Sequence, residues 1–268
     1  MSSKEGTPLS SDSSATLRDR LSLAQNLAKS AGALALEHRR SGLDVQSKSP
    51  MDFVTEADTA VEALLRAEIN RAYPDDSILG EETGLEGSIA QEDHSALWIL
   101  DPIDGTHNYL TGLDHWSVSI GFALAGKLSL GVVYSPDRDQ LFSAIIGHGA
   151  DLNAAALQCG HSSNSHALIG LGVSNRVSFD DHLKLLKTLH SNQIEFRRFG
   201  SAALSICDVA AGRLDGYYEL HLNSWDCAAA IVIAREAGVL VEGFESAESL
   251  IKGDRFYAAR PGLRWDAP

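Results

Sequence analysis

Leu97-Trp98-Ile99-Leu100-Asp101-Pro102-Ile103-Asp104-Gly105-Thr106 is the stretch on which the reading of this chain turns. Its first four residues form an apolar run that reads as a buried strand. The strand ends in two acids three apart, with a proline between them and Gly-Thr behind. Pro102 and Gly105 force a sharp turn. That turn can swing both carboxylates to one side, with the Ile103 carbonyl exposed between them. Two anionic oxygens and a carbonyl suit Mg²⁺, a hard cation that takes oxygen ligands and keeps several waters. A helix starting after Gly105 would add N–H groups and a positive dipole end for a phosphate. Taken alone, D-x-x-D-G-T reads slightly more readily as an acidic turn with an Asp N-cap. An aspartyl-phosphate nucleophile also sits at a strand end, but that chemistry wants acids two apart and no proline. A calcium loop would need alternating Asp/Asn ligands and a distal Glu, which are missing.

Three other segments bear on the choice. Asp52-Phe53-Val54-Thr55-Glu56-Ala57-Asp58 leads into a helix on which Val61, Leu64, Leu65 and Ile69 share a face, and Pro74 ends it. Asp58 falls near the start of that helix, where an N-cap or first-turn acid is common. Ser77-Ile78-Leu79-Gly80-Glu81-Glu82-Thr83-Gly84 reads as a short strand followed by paired acids in a glycine-bracketed loop. Asn223-Ser224-Trp225-Asp226 opens an alanine-rich helix, and Asp226 again suits a capping acid.

In this order, the four segments resemble the inositol monophosphatase family of Mg²⁺-dependent, lithium-sensitive phosphatases. The resemblance runs from about Leu17 to the C-terminus and includes Gly200-Ser201-Ala202-Ala203 and Asp215-Gly216-Tyr217-Tyr218-Glu219, which are similar to the family's substrate-side segments. It implies that Glu81, Asp101, Asp104 and Asp226 are metal ligands together with the Ile103 carbonyl, and that Asp101 bridges two metals. It implies that Asp58 and Thr106, with Glu81, position the attacking water. Gly105 and Thr106 would offer backbone N–H groups to the phosphate. Asp104, Gly200, Ser201, Ala202, Glu219 and Asp226 would line the substrate, with Glu219 meeting a hydroxyl. Lys48 falls in the family's basic loop. On the order of two or three Mg²⁺ ions and a homodimer are also implied. Ala230, Val239 and Ala154 depart from the family's usual glycines, at positions that touch helix packing and turns rather than metal ligands.

Composition narrows the partners. The chain has 268 residues and a hydrophobic content of 44%, ordinary for a soluble globular protein. A formal net charge of −14 repels nucleic acids and anionic membranes, so neither is expected as a main partner. It would also repel a small phosphorylated substrate unless bound cations reverse the local field. Cys159, Cys207 and Cys227 form no C-x-x-C, and a reducing compartment is expected. There is no signal-peptide layout and no apolar run long enough to span a membrane, which points to a cytoplasmic address. The ten histidines lack zinc spacing; His107, His115 and His221 read as rim or surface residues.

Residues 1–15 read as a disordered Ser-rich tail, and Thr16 as the cap of a helix whose apolar stripe is Leu17, Leu21, Ala24, Ala28, Ala31 and Ala35. Ser41 to Pro50 reads as a polar loop. Strands over Trp116–Ala125, Leu128–Tyr134 and Gln140–Ile146 suggest an antiparallel meander. Alternating strands and helices follow from Leu168 to Ala237. The expected organisation is therefore a 16–150 half carrying most metal ligands and a 151–268 half carrying the substrate side. The pattern is layered α+β, and the resemblance implies a five-layer αβαβα sandwich. The expected function is a metal-dependent phosphomonoesterase, with inositol monophosphate ranked first. The rivals are same-fold phosphatases for histidinol phosphate, fructose 1,6-bisphosphate or a 3′-phosphonucleotide, and a non-catalytic regulatory protein on this fold.

Overall fold

A computed structural model describes residues 11–42, 45–49, 52–87, 95–163 and 166–265, with the backbone alone for 11–15, 45–49 and 52–54. In chain order the first part comprises α1 (Ser11–Ser41), the antiparallel pair β1 (Val45–Ser49) and β2 (Asp52–Thr55), and α2 (Glu56–Ala72). There follow β3 (Ser77–Gly80), β4 (Gly84–Glu86), β5 (Ala96–Asp104), the short α3 (Thr106–Thr111), β6 (Ser117–Leu124), β7 (Lys127–Ser135), β8 (Gln140–Ile145), β9 (Ala150–Leu152) and β10 (Ala155–Leu157). The second part runs β11 (Leu168–Leu171), α4 (Phe179–Ser191), β12 (Glu195–Arg197), α5 (Ala202–Ala210), β13 (Gly216–Leu222), α6 (Ser224–Glu236), β14 (Leu240–Glu242), α7 (Ala247–Lys252) and β15 (Asp254–Ala259).

These elements stack as five layers, αβαβα. Helices α1 and α2 cover one face of an eight-stranded sheet ordered β10-β9-β8-β7-β6-β5-β3-β4. Helices α5 and α6 lie between that sheet and a five-stranded one ordered β12-β11-β13-β15-β14. Helix α4 covers the outer face of the second sheet, with Leu185 and Leu189 against Ile169 and Tyr218. The apolar run of β5 is continuous because both faces of that strand are buried. Leu97 and Ile99 join the middle core, while Trp98 and Leu100 join the core under α1 and α2, as the period of two requires.

Two sequence expectations need correction, and one is sharpened. Helix α1 begins at Ser11, before Thr16 and inside the stretch expected as a tail; residues 1–10 lie outside the described residues. Part of the Ser41–Pro50 loop is strand β1, paired with β2 in a register a polar sequence does not advertise. Asp58 and Asp226 are first-turn capping acids, as expected, rather than N-caps. Thr55 and Asn223 hold those positions, and each Asp is the third helical residue, completing a capping box.

Helix α6 is pressed unusually close to the large sheet. Gly121 and Gly131 are cross-strand partners on β6 and β7. A Cβ on Gly131 would lie 2.1 Å from the Ala229 carbonyl oxygen, and one on Gly121 would lie 3.0 Å from the Ala228 Cβ. Small residues on both sides permit this contact, and it fixes the first turn of α6, with Asp226, at the end of β5. Among the described residues no helix is long and apolar enough to cross a membrane.

Candidate metal centre and substrate cleft

Strand β5 ends in an irregularity. Asp101 pairs with Ser119 and Asp104 with Ser117, so three residue steps on β5 match two on β6. The extra residue is accommodated around Pro102, which has no N–H to lose from the ladder. The bulge re-aims the strand end: Ile103 N–H donates to Asp101 Oδ1 at 3.0 Å. Gly105 then takes φ +92°, where a Cβ would also crowd the Gly200 and His115 carbonyls at 3.1 and 3.2 Å.

Asp101, Asp104 and Asp226 come together there, each with a carboxylate oxygen within 4.8 Å of the others. Asp101 and Asp104 are buried and Asp226 is partly exposed. With no cation among them, burial first, then Glu81, Asp104, Asp226 and Asp58, push the Asp101 carboxyl far above the usual carboxylate range. Asp104 rises to about 7, again mainly through burial, although the Ser201 hydroxyl and the Ala202 and Ala203 N–H groups pull it down. Three crowded, oxygen-only ligands that resist joint ionisation fit a hard divalent cation, which would favour the ionised form of each.

Glu81 follows β3, which runs parallel to β5, and its N–H donates to the Leu100 carbonyl at 3.2 Å. It lines a pocket of about 490 Å³ together with Asp101, Ile103, Asp104, Gly105, Thr106 and Asp226. The Thr106 hydroxyl oxygen lies 3.3 Å from Asp58 Oδ1 and 3.1 Å from the Ile103 carbonyl. Its single O–H can serve one of these at a time, which leaves it able to orient a water. Asp58 is fully buried, and its other oxygen accepts from Thr55 N–H at 2.8 Å and the Thr55 hydroxyl at 2.6 Å.

The substrate side is built across the chain. Ser201 caps α5 and donates its hydroxyl to Asp104, whose carboxylate also accepts from Ala202 N–H (3.2 Å) and Ala203 N–H (2.9 Å). Gly200, Ser201, Ala202 and Glu219 line a second pocket of about 170 Å³, which shares Asp104 and Asp226 with the first. Glu219 accepts the Tyr217 hydroxyl at 2.6 Å, and burial, together with Asp226 and Asp104, raises it to about 8. Tyr217 is the hydrogen-bond partner of Glu219 among the described residues, and the Arg198 charge acts on it from farther away, favouring its ionised form. The Lys48 side chain lies outside the described residues.

Sequence reading passed over two supporting residues. Glu62 is buried and accepts from Glu82 N–H (2.9 Å), Thr83 N–H (3.1 Å), the Thr83 hydroxyl and Arg66 Nε (2.8 Å), so it pins the loop that carries Glu81. Asn108 donates to the carbonyls of His115 and Phe199, both at 2.6 Å, tying α3 to the Gly200–Ser201 loop. The only signal for Glu62 was an acid beside the apolar face of α2 with Arg66 one turn on; Asn108 gave none. His115 corrects the rim assignment: it is buried, stacks on Phe199 with ring centroids 4.8 Å apart, and lies 3.3 Å from Asp208.

Residues 16–264 match the profile of the inositol monophosphatase family. The chain belongs to this family. It is 38% identical over 244 residues to the Nus factor SuhB of Haemophilus influenzae, covering 89% of this chain and 90% of that protein. Among solved structures, the extragenic suppressor protein SuhB of Bartonella henselae is similar with a TM-score of 0.80 at 32% identity, covering 90% of this chain and 94% of the other. The inositol monophosphatase of Anabaena is similar with a TM-score of 0.78 at 33% identity, covering 92% of each chain.

Proposed function

We propose that this member of the inositol monophosphatase family is a Mg²⁺-dependent phosphomonoesterase acting on a small polyol phosphate, with inositol 1-phosphate first. The convergence of Asp101, Asp104 and Asp226 within 4.8 Å carries the reading. A site kept only for binding a protein has no need of three mutually repelling carboxylates, two of them buried. Glu81 and the Ile103 carbonyl complete the donor set. Bound there, Mg²⁺ would supply Lewis-acid stabilisation of phosphate and leaving oxygens and lower the pKa of a water. Thr106 and Asp58 orient that water, the Gly105–Thr106 backbone faces the phosphate, and Glu219 accepts a hydroxyl of the alcohol. Positioning and charge stabilisation carry most of the catalysis expected for phosphoryl transfer. Phosphate release from a panel of esters, with and without EDTA, tests this. Release that EDTA abolishes supports it; no release from any ester contradicts it.

A second reading has its own support. The relatives named Nus factor SuhB favour a regulatory role with partners in the transcription machinery over any particular substrate. The fold can serve both uses, because the carboxylates occupy one cleft and leave most of the surface uncommitted. Replacing such a relative in its own host with this chain separates them. Rescue by Asp101→Asn as complete as by the unaltered chain favours the regulatory role; rescue only by the unaltered chain favours catalysis.

A further inference from the structure

The cleft is acidic except at one point. Arg198 is the only Lys or Arg among the described residues lining either pocket, and it lines both. Its side chain is exposed and, among the described residues, makes no hydrogen bond or ion pair. Its neighbours are committed. The Arg197 guanidinium donates to Glu195 at 3.2 Å and to the Phe196 carbonyl at 2.8 Å. The Phe199 carbonyl is held by Asn108 at 2.6 Å, and its ring is stacked on His115. The backbone on each side of Arg198 is thus held, while the guanidinium is free of hydrogen bonds and acts on Glu219 only through its charge. A guanidinium presents five donors in a planar fork that matches an oxyanion.

The residues common to both pockets are Asp104, Arg198, Phe199, Gly200 and Asp226. Arg198 therefore overlooks the junction between the carboxylate cluster and the space beside Glu219, where the alcohol portion of a bound ester would extend. An alcohol carrying its own negative charge would be repelled there by Asp226 unless a cation faced it. A neutral alcohol needs no such cation.

We infer that Arg198 is a specificity residue that favours phosphomonoesters bearing a second anionic group, phosphate or carboxylate, on the alcohol. The inference rests on the phosphomonoesterase reading and, within it, sets doubly anionic esters ahead of esters of neutral polyols such as inositol 1-phosphate.

The test uses two matched pairs of esters. Fructose 1-phosphate and fructose 1,6-bisphosphate differ by a second phosphate; glycerol 2-phosphate and 2-phosphoglycerate differ by a carboxylate. Because its side chain is exposed and makes no hydrogen bond or ion pair among the described residues, Arg198→Ala should fold as the unaltered chain does. It is expected to lower kcat/KM about tenfold to a hundredfold on the doubly anionic member of one pair, the loss of a charge-assisted bidentate contact. The singly charged member should change less than about threefold. Arg198→Lys should recover part of the loss, keeping the charge without the fork. The pair that responds tells phosphate from carboxylate. Equal loss within both pairs would place Arg198 on the scissile phosphate, and no loss would leave it without a substrate role; either overturns the inference. If the unaltered protein releases phosphate from none of the four and none from inositol 1-phosphate, the phosphatase reading has failed on its own. The esters are then stable ligands whose calorimetric Kd ratios, unaltered protein against Arg198→Ala, decide the inference by the same criterion.

Discussion

The two sides of the cleft are made in different ways. The proposed metal side has a local nucleus, Asp101, Ile103, Asp104, Gly105 and Thr106 on one strand end and the turn after it, which Glu81 and Asp226 join from other segments. The substrate side is assembled from distant segments. Ser201 reaches Asp104 across 97 positions, and Asn108 reaches Phe199 across 91. A local site is set by backbone geometry, so its residues can be replaced in chemistry without loss of shape. A long-range site depends on each brace, so removing one brace alters shape as well as chemistry. Substitutions on the two sides should therefore fail differently.

The largest effect is expected on the metal side. Asp104→Asn keeps size and removes an anionic oxygen from the cluster. Turnover should fall about a thousandfold, on the scale of losing one charge-stabilising group, and Mg²⁺ should bind more weakly while the far-ultraviolet circular dichroism is unchanged. Near-normal kinetics at limiting Mg²⁺ would remove Asp104 from the ligand set. Thr106→Ala comes next, with a fall in kcat of about a hundredfold or more and little change in Mg²⁺ affinity by calorimetry. An unchanged kcat would make Thr106 only the first residue of α3.

Brace residues should mix the two effects. Asn108→Ala leaves the His115 and Phe199 carbonyls without their donor. It should cost about 1–3 kcal/mol in urea unfolding and raise KM more than it lowers kcat, because the Gly200–Ser201 loop loosens. A stability loss with KM unchanged would show that the brace serves the fold alone. Glu62→Gln reports on the other anchor and should weaken Mg²⁺ binding through Glu81.

A pH dependence separates the sides further. Without metal, Asp104 sits at about 7 and Glu219 at about 8, both above their ordinary values. A carboxyl raised by folding binds its proton more tightly in the native state. Its contribution is full below the unfolded pKa of roughly 4 and is lost as pH rises through the folded value. The Tm in EDTA should fall from about pH 5 to about pH 8.5, and added Mg²⁺ should raise it most at the upper end, where cation replaces proton. A flat profile in EDTA would mean that burial perturbs these groups less than the geometry indicates.

How much of this was legible follows the same division. The apolar run 97–100, the Pro and Gly of the turn and the capping acids of α2 and α6 obey short-range rules, so the strand, the turn after it and the helix starts could be read, while the bulge within the strand end could not. Asp58 and Asp226 were placed within three residues of their true caps, since Thr and Asn compete with Asp for that position. The strand β1 was missed because its pairing is set by β2 rather than by its own polar sequence. Glu62, Asn108 and the burial of His115 had no local signature. Their partners lie far along the chain, and periodicity cannot report that.

The smallest effect lies away from the cleft altogether. Ala154 occupies the turn between β9 and β10 with φ +63°, a left-handed conformation that costs a residue with a Cβ about 1–2 kcal/mol. Ala154→Gly should raise stability by up to about 1 kcal/mol with activity unchanged. No gain in urea midpoint would show that the turn has relaxed around the alanine.

The central claim is that the Asp101–Asp104–Asp226 cluster is a catalytic Mg²⁺ centre. It is tested most directly by measuring phosphate release from inositol 1-phosphate by the unaltered protein and by Asp101→Asn, across a Mg²⁺ titration. The account predicts saturable, Mg²⁺-dependent release by the first and essentially none by the second at any Mg²⁺ concentration. Equal release by both, or none by the unaltered protein at saturating Mg²⁺, would contradict it.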